Sequence, residues 1–186
     1  MARAKKKSEK EKRTIVFVDQ SAFYLLPMAV YTYAPVGKTP VLKVKLTRDH
    51  LSAMGGITPE GRIFMQMQDH SYKGPDVVRF LQVLTREIRG KLLVIWDGAP
   101  IHRCQAVKDY LAKGGASRIH LERLPAYAPE LNPQEGVWNL LKRVELKNVC
   151  CLDVRHVQRE VQRAKERLRH RRSVLCQCFA HAGCLL

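Results

Sequence analysis

The first buried strand is expected at Thr14-Ile15-Val16-Phe17-Val18, a run of β-branched and aromatic residues that ends in Asp19. Such a run is typical of a strand that is covered on both faces. A second apolar run, Leu92 to Trp96, also ends in a carboxylate, Asp97. It follows a segment of helical periodicity, as a crossover strand parallel to the first one should. Two buried strands, each followed by an aspartate, predict a mixed α/β domain.

Antiparallel strands are expected between these two runs. Residues Val41 to Thr47 alternate apolar and basic side chains, which is typical of a half-buried strand. Leu51 to Ile57 and Arg62 to Gln68 flank Thr58-Pro59-Glu60-Gly61, so we expect two strands joined by a tight turn. Ile119 to Leu124 is expected to be the last strand of the sheet.

Helices are predicted where apolar residues recur at helical spacing. One helix should begin at Gly74-Pro75 and end near Gly90, and a second should span Ala106 to Ala112. A third should run from about Pro133 to Leu146, and a basic fourth helix should end the fold before a Cys-rich tail. The apolar stripe of the third helix is expected to consist of Val137, Leu140, Leu141 and Val144, and that of the fourth of Val154, Val157, Val161, Ala164 and Leu168.

The length of 186 residues is enough for one domain with a hydrophobic core. We expect a basic tail at residues 1–13, the main domain at residues 14–150, and a basic helix with a Cys-rich tail at residues 151–186. Thirty-three Lys and Arg against 17 Asp and Glu give a net charge of +16, which attracts polyanions. Nucleic acid is therefore the expected partner, and a basic protein without such a partner is the alternative.

The compartment and the state of the cysteines are also predicted by composition. No apolar run approaches the roughly 20 residues needed to cross a bilayer, and the basic start lacks the apolar segment of a secretory signal. A cytoplasmic location without a membrane partner is expected, where cysteines stay free thiols. One alternative is a zinc cluster of Cys176, Cys178 and Cys184 with His170 or His181, although this spacing fits no common zinc pattern.

Three carboxylates are the candidate functional residues. Asp19 and Asp97 follow buried strands, and Glu135 lies at the start of a helix behind a proline-rich loop. Three converging carboxylates repel one another unless a divalent metal neutralises them. Mg²⁺ and Mn²⁺ prefer oxygen ligands, and two such ions about 3.5–4 Å apart can clamp both oxygens of a phosphodiester displacement.

Each carboxylate also has a structural explanation. Asp19 could merely end a strand in a turn, and Asp97-Gly98 resembles a type I′ hairpin turn. Asn132 at the N-cap and Glu135 three residues later resemble a capping box. No single carboxylate therefore decides the function.

Several ordered motifs are more specific than these residues taken singly. Over about residues 14–150, the chain resembles the catalytic domain of bacterial insertion-sequence transposases of the mariner superfamily. The motifs that carry the resemblance are Val18-Asp19-Gln20-Ser21-Ala22-Phe23, Tyr33 to Pro40, Ala53 to Gly61, Trp96-Asp97-Gly98-Ala99-Pro100-Ile101-His102 and Tyr127 to Trp138.

The resemblance implies a ribonuclease H-like fold, in which a mixed five-stranded sheet has helices on both faces and carries an acidic triad. By position, the triad is Asp19, Asp97 and Glu135, which implies catalytic and metal-binding roles with two Mg²⁺ or Mn²⁺ ions. His102 becomes a candidate for orienting a phosphate, a water or a metal-bound group. Trp138 is expected either to pack or to stack on a splayed base. Gln20 stands where relatives often have Glu.

The leading hypothesis is metal-dependent cleavage of DNA followed by attack of a 3′-hydroxyl on target DNA. About 13 residues precede the first strand, so we expect a companion chain with a helix-turn-helix domain to recognise the transposon ends. A homo-oligomer on DNA is expected, associated with the nucleoid if the source is bacterial. The alternatives are an inactive DNA-binding remnant and a nuclease that acts on RNA–DNA hybrids.

Overall fold

A five-stranded mixed sheet forms the centre of the computed structural model, which describes residues 2–44, 47–126 and 128–184. Its strands lie in the order β3-β2-β1-β4-β5, where β1 pairs antiparallel with β2 and parallel with β4. The order agrees with the mixed sheet expected from the sequence. The strands are β1 (Arg13–Tyr24), β2 (His50–Ile57), β3 (Ile63–Gln68), β4 (Lys91–Trp96) and β5 (Ile119–Arg123).

Helices cover both faces of this sheet. Residues of β1 alternate between two hydrophobic clusters: Ile15 and Phe17 point to one face, and Val16 and Val18 to the other. The first face is covered by α4, α5 and α6 and the second by α2 and α3. The helices are α1 (Ala2–Glu11), α2 (Gly74–Glu87), α3 (Gln105–Ala112), α4 (Pro133–Asn139), α5 (Val154–Arg169) and α6 (Arg172–His181).

The register of β1 sets the place of two candidate residues. The parallel pairing of β1 with β4 ends at Phe17 and Ile95, and Asp19 and Asp97 each follow two positions later. The expectation that the first strand ends at Asp19 is wrong, because β1 continues to Tyr24 along its antiparallel partner β2. Asp19 is therefore held inside a strand, opposite Gly55, while Asp97 lies just beyond the end of its strand.

The predicted strand from Val41 to Thr47 is not formed in the part of it that the structure describes. Residues 41–44 and Thr47 are irregular, and Lys45 and Leu46 lie outside the described residues. Val41 keeps 78% of its surface exposed. An alternating pattern forms a strand only where it pairs with a neighbour, and residues 41–44 and Thr47 pair with no strand of the sheet.

Helices form in the two terminal segments for which the sequence pattern predicted tails. The basic residues 1–13 include helix α1, in which Ser8 donates a hydrogen bond to the carbonyl of Arg13 (2.5 Å). The Cys-rich segment forms α6, whose Phe179 ring meets Phe17 edge-on with centroids 5.7 Å apart. Leu175, Cys178 and Phe179 are buried at helical spacing, and the cysteine serves there as an apolar residue.

The helix predicted from Pro133 to Leu146 is present, but its second half is a π-helical turn, Leu140–Glu145. The wider turn changes the phase of the side chains. Val137 and Leu141 are buried as expected, whereas Val144 is exposed, contrary to its predicted place on the apolar stripe. Among the described residues, none of the helices has the length and apolar character needed to span a bilayer.

Candidate active site

A cleft of about 310 Å³ brings the three predicted carboxylates together. Asp19 comes from the middle of β1, Asp97 from the end of β4 and Glu135 from the first turn of α4. The loop after β5 and the side chain of Arg123 complete the wall. Residues that are far apart in the sequence therefore share one concave site, just beyond the point where the parallel pairing of β1 with β4 ends.

Asp19 lies at the inner end of the cleft. Burial, the negative charge of Glu135 and a smaller contribution from Asp97 raise the pKa of Asp19 to about 7. The indole Nε1–H of Trp138 opposes this shift by donating a hydrogen bond to Asp19 Oδ2 (2.9 Å). The site thus holds more negative charge than its surroundings stabilise without a cation.

Asp97 is more exposed, and two donors lie close to the same carboxylate oxygen. Its Oδ1 accepts from the backbone N–H of Ala99 (3.0 Å) and lies 2.8 Å from Nδ1 of His102, which also faces the backbone carbonyl of Asp97 (3.4 Å). The bond to Ala99 turns the chain into the 3₁₀ turn Pro100–Arg103, which leads to α3. The hairpin alternative for Asp97-Gly98 is therefore wrong, since no returning strand follows in this segment.

His102 is the buried centre of a short hydrogen-bonded chain. Its imidazole stacks on Trp96 with ring centroids 4.3 Å apart, and only 4% of the residue is exposed. Nε2 lies 3.2 Å from the amide Nε2 of Gln20. Burial lowers the pKa of His102, although Asp97 opposes the shift. The neutral ring therefore accepts from Gln20 and donates from Nδ1 to Asp97.

Glu135 is not used as a helix cap. The side chain of Asn132 caps α4 by accepting from the backbone N–H of Gln134 (3.1 Å), but no reciprocal bond from Glu135 is formed. Within the described ranges, the carboxylate of Glu135 makes neither a hydrogen bond nor an ion pair. The capping-box expectation is wrong, and this carboxylate is free to bind something in the cleft.

Lys142 is a residue of this site that the sequence pattern did not indicate. It extends from the π-helical turn, donates to Ser21 Oγ (2.7 Å) and lies 5.5 Å from the centroid of the Phe23 ring. Burial lowers the pKa of Lys142, and the charges of Glu135 and Asp19 oppose this shift. Its position seven residues after Glu135, two helical turns on, is the only sequence signal.

Trp138 and Gln134 pack tightly behind Asp19. A Cβ atom on Gly55, the strand partner of Asp19, would lie 2.6 Å from Cη2 of Trp138. Trp138 is 2% exposed, which confirms packing and excludes stacking on a base from this position. Gln134 is 1% exposed, and its Oε1 has no hydrogen-bond partner among the described residues.

The carboxylates fit a hard divalent ion by their chemistry. All three offer oxygen ligands, and the raised pKa of Asp19 marks an excess of negative charge that a cation would neutralise. Their side chains are not drawn into a closed ligand cluster, as no group of three or more His, Cys, Asp or Glu in the described ranges is arranged to hold a metal. The proposed zinc cysteines are free, and Cys178 and Cys184 are buried.

Comparisons with known proteins agree on this fold. A family model described as DDE superfamily endonuclease matches residues 14–158. No curated protein matches the chain by sequence.

Solved structures match over most of the chain. A chain of the Mos1 strand transfer complex is 18% identical, with a TM-score of 0.62 over 98% of this chain and 58% of that one. The catalytic domain of Mos1 mariner transposase is 16% identical, with a TM-score of 0.58 over 98% of this chain and 87% of that one. This chain therefore has a ribonuclease H-like fold and spans about 58% of the length of the Mos1 chain in the strand transfer complex.

Proposed function

Because this chain belongs to the DDE superfamily endonuclease family, we propose that it is the catalytic domain of a transposase that cuts DNA and joins a 3′ end to target DNA. The observation that carries the proposal is the convergence of Asp19, Asp97 and Glu135 in one cleft. The capping alternative for Glu135 has lost its support, since Asn132 caps the helix without it.

Asp19, Asp97 and Glu135 would hold Mg²⁺ or Mn²⁺, in the two-ion arrangement expected from the sequence. When bound, these ions would act as Lewis acids and align the attacking and leaving oxygens. The Mos1 paired-end complexes solved with Mn and with Mg are consistent with such ligands. Lys142, beside Ser21 and near two of the carboxylates, would place positive charge at the inner side of the cleft.

DNA is the proposed substrate, as both transposon end and target. The net charge of +16 favours a polyanion, and Arg123 at the cleft wall would contact a phosphate close to Asp97. The matched Mos1 structures are a strand transfer complex and a paired-end complex with the left transposon end. We propose at least a dimer on DNA, with end recognition by a companion chain or another segment.

We propose the same domain limits as those predicted from the sequence: a basic segment at 1–13, the catalytic domain at 14–150 and a basic segment at 151–186. A cytoplasmic location, next to the nucleoid in a bacterium, remains part of the same proposal. The bacterial source implied by the resemblance stays a prediction.

The first prediction concerns the chemistry itself. Protein incubated with duplex DNA and Mn²⁺ or Mg²⁺ should nick or join strands, and Asp97→Asn should reduce this rate by at least about 100-fold, since it removes a ligand charge. Product strands are measured on denaturing gels. Asp109→Asn, the same change at an exposed aspartate, is the matched control and should leave the rate unchanged.

Three results would contradict the proposal. Full activity of Asp97→Asn would show that Asp97 is not a catalytic ligand. Preferential cleavage of RNA–DNA hybrids would favour the nuclease alternative. DNA binding without any metal-dependent cleavage would favour an inactive remnant.

A further inference from the structure

We propose that the ring N–H groups of Trp138 and His102 are positioning donors that fix the carboxylates of Asp19 and Asp97 for metal binding. Each ring is buried: the N–H of Trp138 donates to Asp19 Oδ2 (2.9 Å), and Nδ1 of His102 lies 2.8 Å from Asp97 Oδ1 and 3.4 Å from the Asp97 backbone carbonyl. The inference rests on the proposed function, because the carboxylates matter as a pair only if they bind the same ions. It assigns to Trp138 and His102 a role in holding the carboxylates, in addition to the ligand role of the acidic residues themselves.

The indole of Trp138 is held from several sides before it reaches Asp19. It is 2% exposed and meets Phe23 edge-on, with ring centroids 6.0 Å apart and planes at 77°. Gly55 on β2 leaves no room between the strand and the indole ring. A ring so confined can donate its N–H in only one direction, and Asp19 Oδ2 lies there at 2.9 Å.

The imidazole of His102 is confined in a similar way. Trp96 stacks on it with an interplanar angle of 6°, and 2% of its side chain is exposed, against 53% for Asp97. The backbone N–H of Ala99 and Nδ1 of His102 both approach Oδ1 of the Asp97 carboxylate. Within the described residues, Oδ2 has no protein donor, which leaves it for a ligand in the cleft.

Gln20 connects this second anchor to the strand that carries the first aspartate. Its amide N–H donates to Nε2 of His102, so Nε2 must be the unprotonated nitrogen and Nδ1 must carry the proton. The chain of donors therefore runs from Gln20 through His102 to Asp97, from β1 to the end of β4. Gln20 supplies a donor that a glutamate carboxylate could not supply.

Two fixed carboxylates bind an ion more tightly than two freely rotating ones, since less orientation is lost on binding. Exposed Asp97 has the greater freedom to lose, and the outer carboxylate of Glu135 has no anchor among the described residues. We therefore expect Trp138 and His102 to act on metal affinity without touching the ion. They are positioning residues, and the carboxylates remain the ligands.

The test is a Mn²⁺ titration of the full chain without DNA, followed by electron paramagnetic resonance of the free ion. Trp138→Phe keeps a ring and removes the donor, so Mn²⁺ affinity should fall about 10-fold. Tyr72→Phe also removes the donor of a buried aromatic ring, but that donor bonds to the backbone carbonyl of Gln66 (2.8 Å) and not to a carboxylate of the cleft, so this control should leave the affinity within about twofold of wild type.

His102 provides a second, independent pair of variants. His102→Asn places an amide N–H near the position of Nδ1 and should retain most of the affinity, whereas His102→Leu should lose about 10-fold. Rescue by Asn separates a hydrogen-bonding role from simple packing, because Leu fills the space at least as well. Circular dichroism at the titration temperature verifies that each variant is folded.

The outcomes separate the inference from the function on which it rests. If wild type binds Mn²⁺ and Asp97→Asn weakens binding, but Trp138→Phe and His102→Leu bind like wild type, the positioning role is overturned and the metal site stands. If wild type binds no Mn²⁺, both are overturned. If Trp138→Phe fails to fold, equal affinities of His102→Asn and His102→Leu overturn the inference, and a 10-fold difference between them supports it.

Discussion

The pKa of Asp19 shows that the negative charge of the cleft is only partly balanced by the protein groups around it. Asp19 is held inside a strand, beneath Glu135 and beside a buried tryptophan, and its pKa is raised to about 7. Near neutral pH, a proton therefore neutralises part of the negative charge that a bound cation would neutralise. Metal binding and protonation at this site should compete, because both neutralise the same carboxylates.

The stability of the metal-free protein should depend on this proton. Because the pKa of Asp19 is raised in the folded state, the folded protein holds a proton between about pH 4 and pH 7 that the unfolded chain releases. The contribution of protonated Asp19 to the free energy of unfolding is fully present below about pH 4 and is lost as the pH rises through about 7. Asp19→Asn should therefore stabilise the metal-free protein at pH 8 by up to about 4 kcal/mol, at about 1.4 kcal/mol per pKa unit.

Urea unfolding in EDTA at pH 5 and pH 8 measures this effect. The fall in free energy of unfolding between the two pH values should be smaller in Asp19→Asn than in wild type. Asp109→Asn, at an exposed position, should keep the wild-type difference. A pH dependence that is identical in Asp19→Asn and wild type would show that Asp19 is already ionised in the folded protein at pH 5.

The three carboxylates that line the cleft could be predicted from sequence, whereas the residues that contact them could not. Asp19 and Asp97 follow runs that pair in parallel, so their meeting at one edge follows from local patterns. The bond from Trp138 to Asp19 spans 119 positions, and that from Lys142 to Ser21 spans 121. Such contacts depend on how α4 docks on the sheet, which no local pattern contains.

The contact between β2 and α4 is the element-scale basis of the site. Gly55 stands opposite Asp19 in the sheet and lets Gln134 and Trp138 of α4 approach the strand closely. A side chain at this position would push the helix away from the sheet. Asp19 on β1 and Glu135 on α4 would then move relative to each other.

Gly55→Ala should therefore destabilise the fold and disturb the site together. The added methyl group would lie 2.6 Å from the Trp138 ring, which is overpacking that costs about 1–3 kcal/mol. Urea unfolding gives the loss of stability, and Mn²⁺ titration gives the effect on the site. Adding Gln134→Ala should restore part of the stability, because it removes the other crowding side chain. Strict additivity of the two changes would contradict this explanation.

Elements with a regular pattern of apolar residues along their whole length could be predicted from sequence. Elements whose form depends on packing against another element could not. The hairpin of β2 and β3 and the amphipathic helix α2 occur where their patterns lie. Val41 lies in an alternating run whose described residues pair with no strand, and Val144 is shifted outward by the π-helical turn. Helix α6 was missed because cysteines supply part of its apolar face.

At the scale of the whole molecule, much of the positive charge on α5 and in the turn after it is already paired. Glu145 binds Arg167 on α5 (2.6 Å) and Arg171 beyond it (3.0 Å), and Glu160 binds Arg163 (2.7 Å). These pairs neutralise exposed arginines that could otherwise contact phosphates. If this chain binds DNA as proposed, other exposed basic residues must make the contacts with the phosphates.

Arg155 and Arg159 are exposed on α5, and within the described ranges they have no ion-pair partner. If they contact phosphates, binding to duplex DNA in EDTA should weaken steeply with salt, by about 10³-fold or more between 50 and 200 mM for six or more contacts. The double variant Arg155→Ala/Arg159→Ala should lower the slope of log Kd against log salt by about 2. Arg163→Ala, which removes a paired arginine, is the matched control and should leave the slope unchanged. Fluorescence anisotropy across a salt series gives these slopes, and an equal slope in the double variant and the control would place the DNA on another face of the molecule.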